Sequence, residues 1–111
     1  MSQSAKELTA ESSPRATHYD RSVSGPFRPC ALVPAYQSES TVGEVVVGLR
    51  QSVSRVLVVD DGSSDQTSAE AERAGAEVLR MSANLGKGAA LRAGLARILS
   101  SDATHVAFVD A

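Results

Sequence analysis

The chain has no tryptophan, one cysteine, and only two tyrosines and two phenylalanines, so an aromatic ring placed after a strand stands out. With Cys30 alone, disulfide frameworks and cysteine-based zinc sites within one chain are excluded, and the thiol reads as buried and inert. Neither sign of charge dominates. Eleven basic against thirteen acidic residues leave a net charge of −2 without long runs, which argues against nucleic acid or an acidic membrane surface as partner. No apolar run approaches the roughly 20 residues of a bilayer span, and the N-terminus lacks the apolar core of a secretory signal. The expectation is a soluble, cytoplasmic protein. At 111 residues and 42% apolar content there is material for one small domain and not for two.

Residues 1–28 are rich in Ser and Thr and carry only scattered large apolar groups (Leu8, Tyr19, Val23, Phe27). Ordering them would bury little against the backbone entropy lost, so a disordered tail is expected, ending at the "GPFRP" punctuation. Residues 29–111 then form the domain. Short apolar runs alternate there with helical ones. "CALV" (Cys30 to Val33) reads as a strand stopped by Pro34, and Thr41 to Val53 as a helix with Val42, Val45, Val46 and Leu49 at helical spacing. "RVLVVD" is apolar without alternation, as a strand covered on both faces requires. A helix follows, capped by Ser64 or Asp65 and ended by Gly75; then come a strand over Glu77 to Met81, a helix from Gly86, and a strand from His105 to Asp110. Ala90, Leu91, Leu95, Ile98 and Leu99 mark the apolar face of the last helix. This alternation predicts an α/β fold: a Rossmann-like parallel sheet with helices on both faces.

In such sheets ligands sit outside the carboxyl ends of the strands. The unusual residues of this chain lie there: Pro34, Ala35 and Tyr36; Asp60 and Asp61; Gly86 and Lys87; and Asp110. Asp60, Asp61 and Asp110 would converge on one rim if their strands are neighbours, and gathered carboxylates need donors or a cation. Nucleobase and ribose donors, or a divalent metal neutralising a diphosphate, both satisfy that need. Asp60 is the candidate for bracing the Gly62–Ser64 turn, which leaves Asp61 for a ligand. "NLGKGAAL" brings glycines, helix-start N–H groups and Lys87, an arrangement that suits an anion or an ordinary loop-to-helix junction. It is neither a Walker loop nor the dinucleotide fingerprint. Tyr36 can stack on a base or pack on the following helix, and Arg80 can face phosphate or form a rim charge. His18 and His105 lack the companions of a catalytic or metal-binding histidine.

Taken in order and spacing, "LVPAYQSESTVGEVV", "VLVVDDGSSDQT", "NLGKGAALRAGL" and "VAFVDA" resemble glycosyltransferase family 2. They look most like the branch of dolichol-phosphate and polyprenyl-phosphate mannose or glucose synthases and related glucosyl transferases. The resemblance covers Ala31 to Ala111. It implies the GT-A fold, a UDP- or GDP-sugar donor, Mg²⁺ or Mn²⁺ as cofactor and, in a full-length form, an acceptor such as polyprenyl phosphate. It implies further that Pro34, Ala35 and Tyr36 wall the base pocket, with Tyr36 stacking, and that Asp61 bonds the base with Asp60 beside it. Glu39 stands near the family's Asn-Glu, in a chain that reads "YQSE". Gly86 and Lys87 correspond to the lining of ribose and diphosphate. Asp110 corresponds to the first Asp of the D-x-D motif, which touches ribose or metal.

The chain reads "VDA" where that motif would be completed, and it offers no residue for the base that activates an acceptor hydroxyl. The expectation is therefore the nucleotide-sugar-binding half of the enzyme, binding nucleotide without turnover of its own. An open sheet edge at His105 to Asp110 would template self-association. A phospho-receiver module fits poorly, because its acidic pair belongs to the first strand and its phosphoacceptor to the third, which here ends in Arg80-Met81. A non-catalytic nucleotide-sugar-binding or partner-binding module is the remaining alternative.

Overall fold

The computed structural model describes residues 26–111. The tail expected over residues 1–28 lies, up to residue 25, outside the described residues. Seven elements follow: β1 (Pro29–Ala35), α1 (Val42–Leu49), β2 (Arg55–Asp60), α2 (Thr67–Arg73), β3 (Glu77–Arg80), α3 (Lys87–Leu99) and β4 (His105–Phe108). The four strands form one sheet in the order β3-β2-β1-β4, and every pairing is parallel. The α/β architecture with a helix crossover between consecutive strands is as the alternating pattern predicts.

Helices cover both faces, which explains the unbroken apolar runs. Ala31, Val33 and Ala35 of β1, with Val56 and Val58 of β2, meet Val42 and Val46 of α1 and Ala71 of α2. The alternate residues Cys30, Leu32, Leu57 and Val59 meet Ala90 and Ile98 of α3 on the other face. Strands β1 and β2 therefore lie buried on both sides, as Val- and Leu-rich central parallel strands do. Cys30 is buried, and burial pushes its thiol above the usual range, so it is a poor nucleophile. Arg28, just ahead of β1, exchanges two hydrogen bonds with Thr104, just ahead of β4: its N–H donates to Oγ1 at 2.7 Å and its carbonyl accepts from the Thr104 N–H at 2.8 Å.

Local expectations differ from the structure in a few places. Strand β1 continues through Pro34 to Ala35. Its pairing with β4 ends at Leu32–Phe108, so Pro34 falls past the last partner on that side and its missing N–H removes no ladder bond there. Leu99 is exposed rather than part of the α3 apolar face. The buried stripe runs Ala90, Gly94, Ile98, a strict four-residue spacing, and Leu99 stands about 100° around the helix from Ile98. Among the described residues no helix is long and apolar enough to cross a membrane.

Candidate functional site

Chain order reverses at β1: β2 and β3 extend the sheet to one side, and β4 returns to the other. A crevice is expected outside the carboxyl ends of strands at such a switch point. A cleft of about 280 Å³ lies there. Pro34, Ala35 and Tyr36 line it from the end of β1, and Asp61 from the end of β2. Asn84, Gly86, Lys87 and Ala90 close it from the loop before α3 and the first turn of that helix. Tyr36, 49% exposed, is the only aromatic residue in this lining.

The adjacent carboxylates face different partners. Asp60 has no exposed surface. Its Oδ1 accepts the Ser63 N–H at 2.9 Å, and its Oδ2 accepts the Ser68 hydroxyl at 2.5 Å and Arg80 Nη1 at 2.9 Å. Burial alone would raise this carboxyl's pKa, but the hydrogen bonds from Ser63 and Ser68 and the charge of Arg80 outweigh it and hold the group below the ordinary aspartate range. Asp61, 4% exposed, takes the Leu85 N–H on Oδ1 and the Gly86 N–H on Oδ2, each at 2.9 Å. Its own N–H donates to the Ala35 carbonyl at 2.8 Å, which extends the β1–β2 ladder into the cleft wall. Each Asp61 oxygen keeps a second lone pair. Gly62, next along, has φ +76° and runs against the backbone of Ala83 and Asn84, so the turn and the loop before α3 touch main chain to main chain.

The loops after β1 and β2 are tied together by a set of bonds that the sequence reading did not contain. The Gln37 N–H donates to Ser63 Oγ at 2.8 Å, and Gln37 Oε1 accepts the Ser64 N–H at 2.7 Å. The Ser38 N–H donates to Thr67 Oγ1 at 2.8 Å. Glu39 Oε1 accepts the Gln66 N–H at 2.9 Å, and its own N–H reaches Asp65 Oδ2 at 3.3 Å. Gln37 adopts φ +51°, unusual for a side chain other than Gly, Asn or Asp. Glu39 thus serves the start of α2 and is not among the residues lining the cleft. The N-cap of α2 is Gln66 rather than Ser64 or Asp65; Asp65, one residue earlier, accepts the N–H of Thr67 at 2.9 Å and its hydroxyl. The signal for this network was the density of Ser, Asp, Gln and Thr in "GSSDQT", residues whose short side chains bond nearby amides.

Lys87 and Asp110 meet at the cleft mouth, Nζ to Oδ1 at 2.7 Å, with both side chains more than half exposed. Asp60, Asp61 and Asp110 follow carboxyl ends on the same rim of the parallel sheet, but β1 lies between β2 and β4 and Asp60 turns inward, so the three are not gathered into one cluster. Among the described residues no group of three or more His, Cys, Asp or Glu could hold a metal ion. A divalent cation takes six or so oxygen ligands. Asp110 offers one carboxylate, already engaged by Lys87, so the residues present do not by themselves make a metal site.

Three carboxylates, Asp60, Asp65 and Glu77, carry a pH dependence. Glu77 is held below its usual range by the hydrogen bonds from Arg55, and Asp65 by those from Thr67. Together with Asp60 these are depressed native values, so their contribution to stability is complete above the unfolded carboxylate range near pH 4 and is lost as pH falls through the native values. The melting temperature should hold down to about pH 5 and drop between about pH 4 and pH 2.5, with a shallower acid slope in Asp60→Asn. Equal slopes for the two proteins would remove Asp60 from this account.

The sequence profile of glycosyl transferase family 2 matches residues 30–111. Glycosyltransferase AglJ of Haloferax volcanii is 42% identical over 64 residues, which is 57% of this chain and 21% of that protein. An uncharacterised protein of Methanocaldococcus jannaschii is 40% identical over 65 residues, 58% of this chain and 27% of its own length. Among solved structures, a mycobacterial protein superposes with a TM-score of 0.64 at 32% identity, covering 76% of this chain and 31% of its own. Glucosyl-3-phosphoglycerate synthase of Mycobacterium tuberculosis, in complex with Mn²⁺, UDP-glucose and phosphoglyceric acid, gives 0.64 at 28% identity, covering 76% and 33%. The chain therefore spans about a third or less of the length of each of these relatives.

Proposed function

We infer, because this chain belongs to glycosyl transferase family 2, that its cleft binds the nucleotide of a sugar donor and that the chain supplies the donor-binding part of a glycosyl transfer. The observation that carries this reading is the cleft at the β1 switch point, lined both by Asp61, anchored on the Leu85 and Gly86 amides, and by the half-exposed Tyr36. In this reading Tyr36 stacks on the base and Pro34 and Ala35 wall it, while Asp61 accepts an N–H of the base with a remaining lone pair. The first amides of α3 and the ammonium of Lys87 receive the diphosphate. Asp110, at the same mouth, faces ribose. Glu39 and Asp60 act from outside the cleft, by holding its loops.

The donor is a UDP-sugar in preference to a GDP-sugar, a reading supported by the similar mycobacterial synthase, which is crystallised with UDP-glucose. The Mn²⁺ of that complex and the Mg²⁺ of a related one support a divalent cation as cofactor in this family. Here Asp110 would be its one ligand from the described residues, so the binding reading rests on the cleft and not on the ion. The acceptor, a lipid phosphate such as polyprenyl phosphate by the resemblance, belongs to the complete protein's activity, as does the transfer step. Residues 29–111 are the donor-binding unit in this assignment.

Calorimetric titration of the chain with UDP and GDP, each with and without Mn²⁺, tests the reading. UDP should bind with a dissociation constant on the order of 10–1,000 μM, the range of a small cleft with a handful of polar contacts. Absence of binding by either nucleotide under all four conditions would refute it and favour a partner-binding module.

A further inference from the structure

We propose that Arg80, at the carboxyl end of β3, is a positioning residue for the nucleotide cleft, acting through the β2–α2 turn. The proposal deepens the donor-binding reading above and rests on it for its ligand. Arg80 is absent from the cleft lining, and its side chain is 52% exposed, so it is placed neither to bind nucleotide nor to fill the core. Its guanidinium nevertheless has a divided role. Nη1 donates to the fully buried Asp60 carboxylate at 2.9 Å and to the Ser68 hydroxyl at 3.2 Å, while Nη2 donates to the Ser63 carbonyl at 2.6 Å. Asp60 in turn accepts the Ser63 N–H. One planar fork thus grips both the carboxylate and the main chain of a single turn.

That turn carries Asp61 on its other side. The Asp60 carbonyl accepts the Met81 N–H at 2.8 Å, Asp61 holds the Leu85 and Gly86 amides, and Gly62 abuts the Ala83–Asn84 backbone. Arg80, Met81 and the loop before α3 are continuous in sequence, so Arg80 closes a ring: strand β3, its own following loop, and the turn that receives that loop. Exposed ion pairs contribute little to stability when both partners are solvated. Here one partner is buried and the geometry is a two-point fork, which a lysine ammonium cannot reproduce. The consequence falls on position: without the fork, the turn keeps its chain connection but loses the contacts that set where Asp61 presents its oxygens.

The test compares the 111-residue chain with Arg80→Gln and Arg80→Lys, and with Arg55→Gln as a control. Arg55 makes a two-point pair with Glu77 that joins the same two strands at their opposite ends, at 2.8 and 3.1 Å. Two readouts are taken: amide hydrogen exchange at Leu85 and Gly86 by NMR, without nucleotide, and UDP affinity by calorimetry. Arg80→Gln should speed exchange at both amides and weaken UDP binding by about tenfold, Arg80→Lys should fall between, and Arg55→Gln should leave both close to native. Native exchange at Leu85 and Gly86 in Arg80→Gln would overturn the proposal. So would an equal change in Arg55→Gln, which would mark a loss of global stability. If Arg80→Gln does not fold, the decision passes to Arg80→Lys on the same two amides. A native chain that fails to bind UDP would count against the donor-binding reading alone, since the exchange arm still decides the role of Arg80.

Discussion

Gly62→Ala is expected to destabilise the domain by about 3 kcal/mol, from two additive causes. The first is conformational: at φ +76° a side chain costs about 1–2 kcal/mol. The second is steric. A Cβ at this position would stand 2.5 Å from the Ala83 carbonyl carbon and 2.6 Å from the Asn84 nitrogen, both main-chain atoms with no rotamer to yield. Relief requires the turn and the 83–84 segment to separate, and small-to-large changes of this kind cost about 1–3 kcal/mol. For a domain of this size that is a fall in melting temperature of about 15 °C. Because the displaced segment leads into Leu85 and Gly86, affinity for UDP should fall with stability. Urea denaturation gives the energy directly, and a loss under about 1 kcal/mol would show that the turn accommodates a side chain.

Asp61→Ala should have the largest effect on binding. Removing the carboxylate leaves the Leu85 and Gly86 amides without their acceptor and takes away the group assigned to the base. Each stranded donor costs about 1–3 kcal/mol of folding stability where water cannot replace the partner. The binding term is the hydrogen bond from the base to the charged carboxylate, about 1.5–3 kcal/mol, and with the loop loosened as well the loss in UDP affinity should be about a hundredfold. Asp61→Asn keeps one acceptor oxygen and presents an amide NH₂ in place of the other, so one of the two loop amides retains its bond and the loss should be nearer tenfold. Calorimetry on the three proteins, at a temperature where each is folded by circular dichroism, measures this order. Native affinity in Asp61→Ala would remove Asp61 from the site.

The sheet and its crossovers were legible in the sequence because burial on both faces writes an unbroken apolar run, as in "RVLVVD", and helices between such runs force parallel pairing. Strand order was not legible, since the sequence shows that strands exist but not which pair. Whether Asp60, Asp61 and Asp110 stand next to one another depends on that order, and β1 lies between β2 and β4. A proline removes a ladder donor, so the sequence reads as a stop at Pro34, yet at this position β4 no longer pairs. Helical spacing of apolar residues puts Leu99 on the apolar face of α3, whereas the buried stripe follows Gly94, which carries no apolar side chain to mark it. A Cβ on Gly94 would collide with Leu32 and Val59, so α3 lies close to the sheet because that position is bare. The contacts of Gln37 and Arg80 depended on which loops the fold brings together, information that local pattern does not carry.

The cross-linking of the loops after β1 and β2 has a thermodynamic consequence. Gln37, Ser38 and Glu39 are joined to Ser63, Ser64, Gln66 and Thr67 by the protein's own hydrogen bonds, with no ligand group in the network. Their conformational entropy is surrendered when the chain folds, not when a ligand arrives. A molecule entering the cleft meets walls already in place, and little of its interaction energy is consumed in ordering them. Association should accordingly show a small unfavourable entropy from the protein, with enthalpy set by the contacts themselves. The looser partner in that encounter is then the ligand, whose own rotors must settle against a surface that hardly moves.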